Sequence, residues 1–141
     1  VWFPALHQPP YGERAVVLRA SARVIGTVGF VPCLDAFEQI PELRRGLEAS
    51  GFNTPEFGLF WAIDPAFQRQ GYATEAARSM ADFALSELRL QRIIATTEYE
   101  NHASQGVMRK LGMQICRNPL PTPPWLQVVG ILKNCFAQQM L

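Results

Sequence analysis

The sequence predicts an α/β fold with a mixed central sheet and flanking helices, and three observations predict it. Two runs of β-branched and apolar residues stand close together near the start, which reads as an antiparallel hairpin. Two helical patterns later in the chain each lie between strand-like runs. Such strand–helix–strand units make right-handed crossovers and bring parallel pairing. The order is strand, strand, strand, helix, strand, helix, strand, strand. With 141 residues, 48% of them hydrophobic, residues 1–141 read as one domain around one core.

The hairpin pairs residues 15–19 with residues 24–31, joined by Ala20-Ser21-Ala22-Arg23. Residues 32–55 are polar and irregular, with a short helix expected over 41–49; a connection of that length is commonly functional or mobile. Residues 56–64 resume strand character, with Phe57, Leu59, Trp61 and Ile63 on one face. Asp64-Pro65 ends that strand, and Gly71 opens the clearest helix. Ala73, Ala77, Met80, Ala84 and Leu88 recur at steps of three and four and form its buried stripe. Alanine dominates the stripe, so the helix sits close to whatever it covers. Residues 92–97 read as a buried strand. Asn101 is an N-cap for a helix with Ala103, Val107 and Leu111 apolar, and Gly112 ends it in the left-handed conformation. Residues 113–117 and 126–133 are the last two strands. The proline-rich stretch 118–125 between them is a stiff connector that sheet interior excludes.

Charge narrows the function classes. Thirteen basic against twelve acidic residues give a net charge of +1, without the footprint of a nucleic-acid or membrane-surface binder. No apolar run reaches roughly 18 residues, and the first ten lack the pattern of a signal peptide. Cys33, Cys116 and Cys135 are odd in number and widely spaced, which suggests reduced thiols in the cytoplasm and no metal site.

The loop Gln68-Arg69-Gln70-Gly71-Tyr72-Ala73 leads from a strand into a helix. The amides of Arg69, Gln70, Gly71, Tyr72, Ala73 and Thr74 precede any intrahelical partner, so they are free to bind an anion that the helix dipole also favours. Arg69 adds positive charge, and Gly71 and Ala73 keep the approach open. An ordinary strand-to-helix turn is the competing reading. The spelling matches Gln/Arg-x-x-Gly-x-Gly/Ala, and is neither a Walker loop nor a dinucleotide Gly-x-Gly-x-x-Gly. Asn101-x-x-Ser104-x-x-Val107-x-x-x-Leu111-Gly112 follows at a second strand-to-helix junction. Together these two patterns resemble the signatures of the GNAT N-acetyltransferases. Gly-Tyr-Ala-Thr-Glu-Ala at 71–76 and the run 107–113 look most like the RimJ/RimL-type branch.

The resemblance implies a mostly antiparallel sheet with one splayed parallel strand pair, and acetyl-CoA as the acetyl donor without a metal. Pantetheine would bond the backbones of Trp61 and Ile63, the pyrophosphate would sit on the amides of residues 69–74 with Gln68 also in the binding loop, and Asn101 and Ser104 would lie near the thioester. A primary amine, at a protein N-terminus or on a small molecule, would attack the thioester directly. Many relatives carry a Tyr seven residues after the Asn to protonate the thiolate; here that position is Met108, which donates nothing. Ser104 is the substitute, unless its hydroxyl only satisfies backbone at the helix start. Some relatives use a Glu on the strand before the loop, where Phe57 now stands. Glu56, Glu98 and Glu100 are the alternatives for the base, followed by His7, His102 or a water chain. Trp125, the proline-rich connector, Phe37 and Leu43 would wall the acceptor pocket. A homodimer is compatible with the resemblance.

Relatives begin with a strand and one or two helices ahead of the hairpin, and only about fourteen residues precede Ala15. The N-terminal elements on the acceptor side are therefore expected to be missing. That expectation motivates the alternative of a non-catalytic acyl-CoA-binding module or inactive fragment.

Overall fold

The computed structural model describes residues 9–135. Within them lie six strands, β1 (Gly12–Val17), β2 (Val24–Asp35), β3 (Thr54–Ile63), β4 (Arg92–Thr97), β5 (Gln114–Arg117) and β6 (Val128–Lys133), and two helices, α1 (Tyr72–Ser86) and α2 (His102–Leu111). The strands form one sheet in the order β1-β2-β3-β4-β6-β5. All neighbours are antiparallel except β3 and β4, which run parallel. The mixed, mostly antiparallel sheet is thus present with its helices.

The first hairpin turns where the sequence places it. The Ala22 amide donates to the Leu18 carbonyl at 2.8 Å, and Ala22 takes a left-handed φ of 55°. Strand β1 begins earlier than expected, at Gly12, and leaves Leu18 and Arg19 to the turn. The larger correction is β2, which continues through Pro32 to Asp35 where an irregular segment was expected. The hydrogen-bond phase explains why proline is tolerated. The Asp64 amide donates to the Ile25 carbonyl at 2.7 Å, so odd-numbered residues of β2 bond to β3. Pro32 turns its nitrogen the other way, past Phe30, where β1 has already ended at Gly12. No ladder bond is lost.

The helix expected over 41–49 does not form. Two 3-10 turns, Phe37–Gln39 and Pro41–Leu43, occupy the region instead. Phe37, Ile40 and Leu43 are spaced by three, so they share one face of 3-10 geometry, and all three are buried. They cover one face of the sheet with Ile94, Cys116, Leu126, Val129 and Ile131. Arg44 then folds back, its Nε donating to the Glu38 carbonyl at 2.7 Å, which ends the regular structure.

Both helices cover the opposite face. Helix α1 buries Ala77, Met80, Ala81 and Ala84. Ala81 lies outside the predicted stripe, while Ala73 and Leu88 are only half-buried. Helix α2 is capped as its sequence predicts: Asn101 Oδ1 accepts from the Ser104 amide at 3.0 Å, and Gly112 closes the other end with φ 83°. Strands β5 and β6 start slightly later than expected, and residues 118–125 stay outside the sheet.

Candidate active site

Strands β3 and β4 register at a single pair, Gly58 opposite Ile94, whereas β2 and β3 stay paired over ten residues. Both strands continue beyond that pair, β3 to Ile63 and β4 to Thr97, and they part. From Gly58 to Ile63 the gap runs along roughly 17 Å of strand. The phase of each neighbouring ladder says what borders it. Because Asp64 bonds to Ile25, the odd residues Leu59, Trp61 and Ile63 turn their N–H and C=O groups toward β4. Because the Asn134 amide donates to the Gln91 carbonyl at 2.7 Å, Ile94 and Thr96 turn theirs toward β3. Beyond the Gly58–Ile94 bridge the gap is therefore edged by backbone donors and acceptors that neither strand satisfies for the other, a slot for an extended chain bearing amides.

The slot opens toward the loop before α1. Asp64 Oδ1 accepts from the Ala66 amide at 2.9 Å and starts a 3-10 turn over Pro65–Phe67. Gln68 Nε2 donates to the Ile63 carbonyl at 2.8 Å, so this exposed side chain ties the loop to β3. Arg69 and Gly71 both take positive φ, 62° and 87°. The first helical bond is from the Glu75 amide to the Gly71 carbonyl at 3.0 Å. The amides of Arg69, Gln70, Gly71, Tyr72, Ala73 and Thr74 find no acceptor among the described residues, and no side chain caps the helix. A Cβ built on Gly71 would meet nothing within 4 Å, so the space above these amides is open. Converging free amides at a helix start make a cradle for an anion.

The start of α2 stands beside the same end of β4. Ser104 is half-buried, and its hydroxyl makes no hydrogen bond among the described residues; only its amide is engaged, by Asn101. Met108, one turn further on the same face, is fully buried in the helix–sheet core. Gln105 is a functional neighbour that sequence reasoning passed over. It is buried, and its Nε2 donates to the carbonyls of Glu98 and Tyr99 at 3.2 and 2.9 Å, locking the β4-to-α2 turn.

The carboxylates separate into two groups. Glu98 and Glu100 are exposed at the open end of the slot, with Glu100 3.8 Å from an equally exposed His102. Glu56 lies at the other end, two residues before Gly58. Its carboxylate grips Arg92 at two points, Nε to Oε2 at 3.0 Å and the second nitrogen to Oε1. Phe57 is held between the rings of Tyr11 and Phe30 at centroid distances of 5.0 and 4.9 Å. His7 lies outside the described residues.

A cavity of about 650 Å³ opens beside Glu56 and Arg92, and Leu43 lines it. Phe37, expected in an acceptor wall, is instead core, because the 3-10 spacing turns it inward with Ile40. Trp125 is exposed and donates to Asp35 Oδ2 at 2.9 Å, while the proline-rich connector lines a separate cavity of about 440 Å³ with Tyr99. Burial holds the Cys33 thiol above its usual range, and the charges of Glu56 and Asp35 add to this. Burial, then the Glu42 carboxylate, pushes Cys116 up to about 11. Neither thiol is primed as a nucleophile. Among the described residues no cluster of His, Cys, Asp and Glu is grouped to hold a metal ion, and no helix is long and apolar enough to cross a membrane.

Known proteins resemble this chain in sequence and in fold. The N-acetyltransferase YnaD of Bacillus subtilis (strain 168), itself uncharacterized, is 44% identical over 64 residues, 45% of this chain and 36% of its own length. A second uncharacterized N-acetyltransferase from that organism, YjdG, is 32% identical over 113 residues, 80% of this chain and 57% of its own length. The chain thus spans between about a third and three fifths of these curated relatives. The crystal structure of an acetyltransferase from Agrobacterium tumefaciens str. C58 superposes with a TM-score of 0.63 at 20% identity, over 91% of this chain and 64% of that one. Residues 2–114 match the family model for the acetyltransferase (GNAT) domain. That match takes in the slot, the cradle and the start of α2 alike, and the chain belongs to the GNAT acetyltransferase family.

Proposed function

We propose that the protein is an N-acetyltransferase that moves the acetyl group of acetyl-CoA onto a primary amine within a ternary complex. The observation that carries this reading is the parting of β3 and β4 directly beside six unpartnered amides. Pantetheine would lie in the slot, bonded by the backbone of Trp61 and the N–H of Ile63, whose carbonyl Gln68 already occupies. The amides of residues 69–74 would hold the pyrophosphate, with Arg69 adding charge and Gln68 bracing the loop. Asn101, its Oδ1 taken by the cap, would contribute its Nδ2 near the thioester.

The chemistry needs few groups. The amine nitrogen attacks the thioester carbonyl carbon, a C–N bond forms and the C–S bond breaks. One proton leaves the amine, and the departing sulfur takes one. Ser104 is the donor to that sulfur, since its hydroxyl makes no hydrogen bond among the described residues and Met108, one turn further on, has no proton to give. Glu56 is the carboxylate closest along β3 to the point where the strands part, and Arg92 fixes its orientation. Glu98 and Glu100 flank the opposite, open end. The spelling of residues 71–76 and 107–113 favours the RimJ/RimL-like branch, and with it a protein N-terminal amine among the acceptors. Three free cysteines suit a cytoplasmic setting.

Two observations favour a second reading, a non-catalytic acyl-CoA-binding module: Glu56 is committed to Arg92, and the position of the relatives' Tyr is in the core. Calorimetry with acetyl-CoA and a thiol-release assay across a panel of amines separate the two. Binding with turnover supports the enzyme. Binding without turnover for any amine leaves the module, and no binding overturns both.

A further inference from the structure

The cavity beside Glu56 has a charge pattern that the donor site does not explain. It lies at the N-terminal ends of β3 and β4, on the far side of the Gly58–Ile94 pair from the amide cradle. Three guanidinium groups, Arg44, Arg45 and Arg92, line it against one carboxylate, Glu56, with Tyr11 and Gln91 as polar neighbours. The arginines are not equivalent. Arg92 is held by Glu56, and Arg44 is committed to the Glu38 carbonyl. Arg45 makes no hydrogen bond or ion pair among the described residues. Glu38 is within electrostatic reach of Arg45, but it does not line the cavity, and its Oε2 accepts the Ser50 amide at 2.8 Å.

We propose that this cavity takes the acceptor, and that the acceptor is an amine carrying an anionic group, a carboxylate or a phosphate, which Arg45 binds. The inference rests on the acetyltransferase reading and names its substrate class. A guanidinium matches a carboxylate or phosphate with paired N–H donors, and an unpaired one facing a cavity is a ready partner. The amine end then lies beside Glu56, the cavity's sole lining carboxylate among the described residues; Arg92 already balances that carboxylate, so the contact with Arg45 supplies the attraction. A polyamine would set its charges against three guanidiniums, and repulsion would exclude it.

The test uses matched acceptors: glycine against glycinamide, O-phosphoethanolamine against ethanolamine, and spermidine. Binding to the protein–CoA complex is measured by calorimetry, and turnover with acetyl-CoA by thiol release. The anionic member of at least one pair should bind about tenfold tighter, the worth of one charge-assisted contact, and the pair that shows it identifies carboxylate or phosphate. Arg45→Gln should raise the KM of that anionic amine about tenfold, with kcat, the neutral partner and the KM for acetyl-CoA within twofold. Comparing variant with wild type on the same amines cancels their differences in basicity. Equal or weaker binding of the anionic members, a preference for spermidine, or an Arg45→Gln effect equal on all acceptors overturns the proposal. Loss of acetyl-CoA binding by the wild-type protein would instead overturn the acetyltransferase reading beneath it.

Discussion

Gly71 allows backbone strain and ligand contact to be separated by experiment. It stands at the N-cap of α1 with φ 87°, and Gly51, in the exposed loop before β3, has φ 77°. A Cβ on either meets nothing within 4 Å. The two sites are matched: alanine at each should cost about 1–2 kcal/mol of folding stability from left-handed backbone alone. They differ in what lies above them. At Gly71 six amides have no acceptor among the described residues, and each bond from such an amide to a phosphate contributes about 1.5–3 kcal/mol. Gly71→Glu places a side chain and a negative charge in that cradle. Losing two bonds is worth about 3–6 kcal/mol, so acetyl-CoA affinity should fall at least about a hundredfold. Gly51→Glu should leave it unchanged. Urea denaturation gives the stability of each variant, and calorimetry gives the affinity. If Gly71→Glu binds acetyl-CoA within threefold of wild type while losing as much stability as Gly51→Glu, the loop is an ordinary turn and the cradle assignment is wrong.

Ser104→Ala should lower kcat about tenfold or more with the Kd for acetyl-CoA within threefold; equal effects on both would reduce Ser104 to a helix-start residue. Gly58→Ala should destabilise the fold by about 1–3 kcal/mol, because its Cβ would overlap Cys33 Sγ and lie 2.9 Å from the Val31 carbonyl oxygen. Adding Cys33→Ala should recover part of that loss, and strict additivity of the two changes in urea unfolding would refute the contact. The raised thiol of Cys116 predicts an alkaline limb: its contribution is intact below the ordinary thiol value of 9.0 and is lost as pH rises through about 11. Cys116→Ser, which cannot ionise there, should flatten the fall in unfolding midpoint between pH 9 and 11, and parallel curves for the two proteins would count against it.

Local signals account for what could be read before the structure. Asn101 and Gly112 bound α2 through their own side chain and backbone conformation, and Gly71 opens α1, so a few adjacent residues specify each end. Strand β4 centres on the apolar, buried run Ile93-Ile94-Ala95, followed by two β-branched threonines. The errors share a different origin. Pro32 reads as a breaker, and only the early end of β1 leaves its nitrogen without a partner to miss. The three-residue spacing of Phe37, Ile40 and Leu43 was visible, but it is compatible with a short α-helix until the sheet face that buries it is known. Glu56 and Arg92 are 36 residues apart, and they meet because Gly58 faces Ile94, a register that one parallel pair sets and no local pattern records.

The same distinction divides the two halves of the candidate site. The donor half is made of backbone: an unpaired strand edge, a glycine with positive φ and amides without partners. Backbone geometry follows from short stretches of sequence, and the family signatures are short for that reason. The acceptor half proposed above is made of side chains from three separate segments, Arg44 and Arg45 after the second 3-10 turn, Glu56 on β3, and Arg92 on β4. None of these residues is informative alone, since an exposed arginine or a strand-end glutamate is ordinary. Their meaning arises when the fold brings Arg45, without a hydrogen bond among the described residues, and the Arg92-held carboxylate of Glu56 to one cavity at the N-terminal ends of β3 and β4. On the proposal made above, acceptor choice would follow from register and loop packing, and substitutions in the Arg44–Arg45 turn should change which amine is used while leaving acetyl-CoA binding intact.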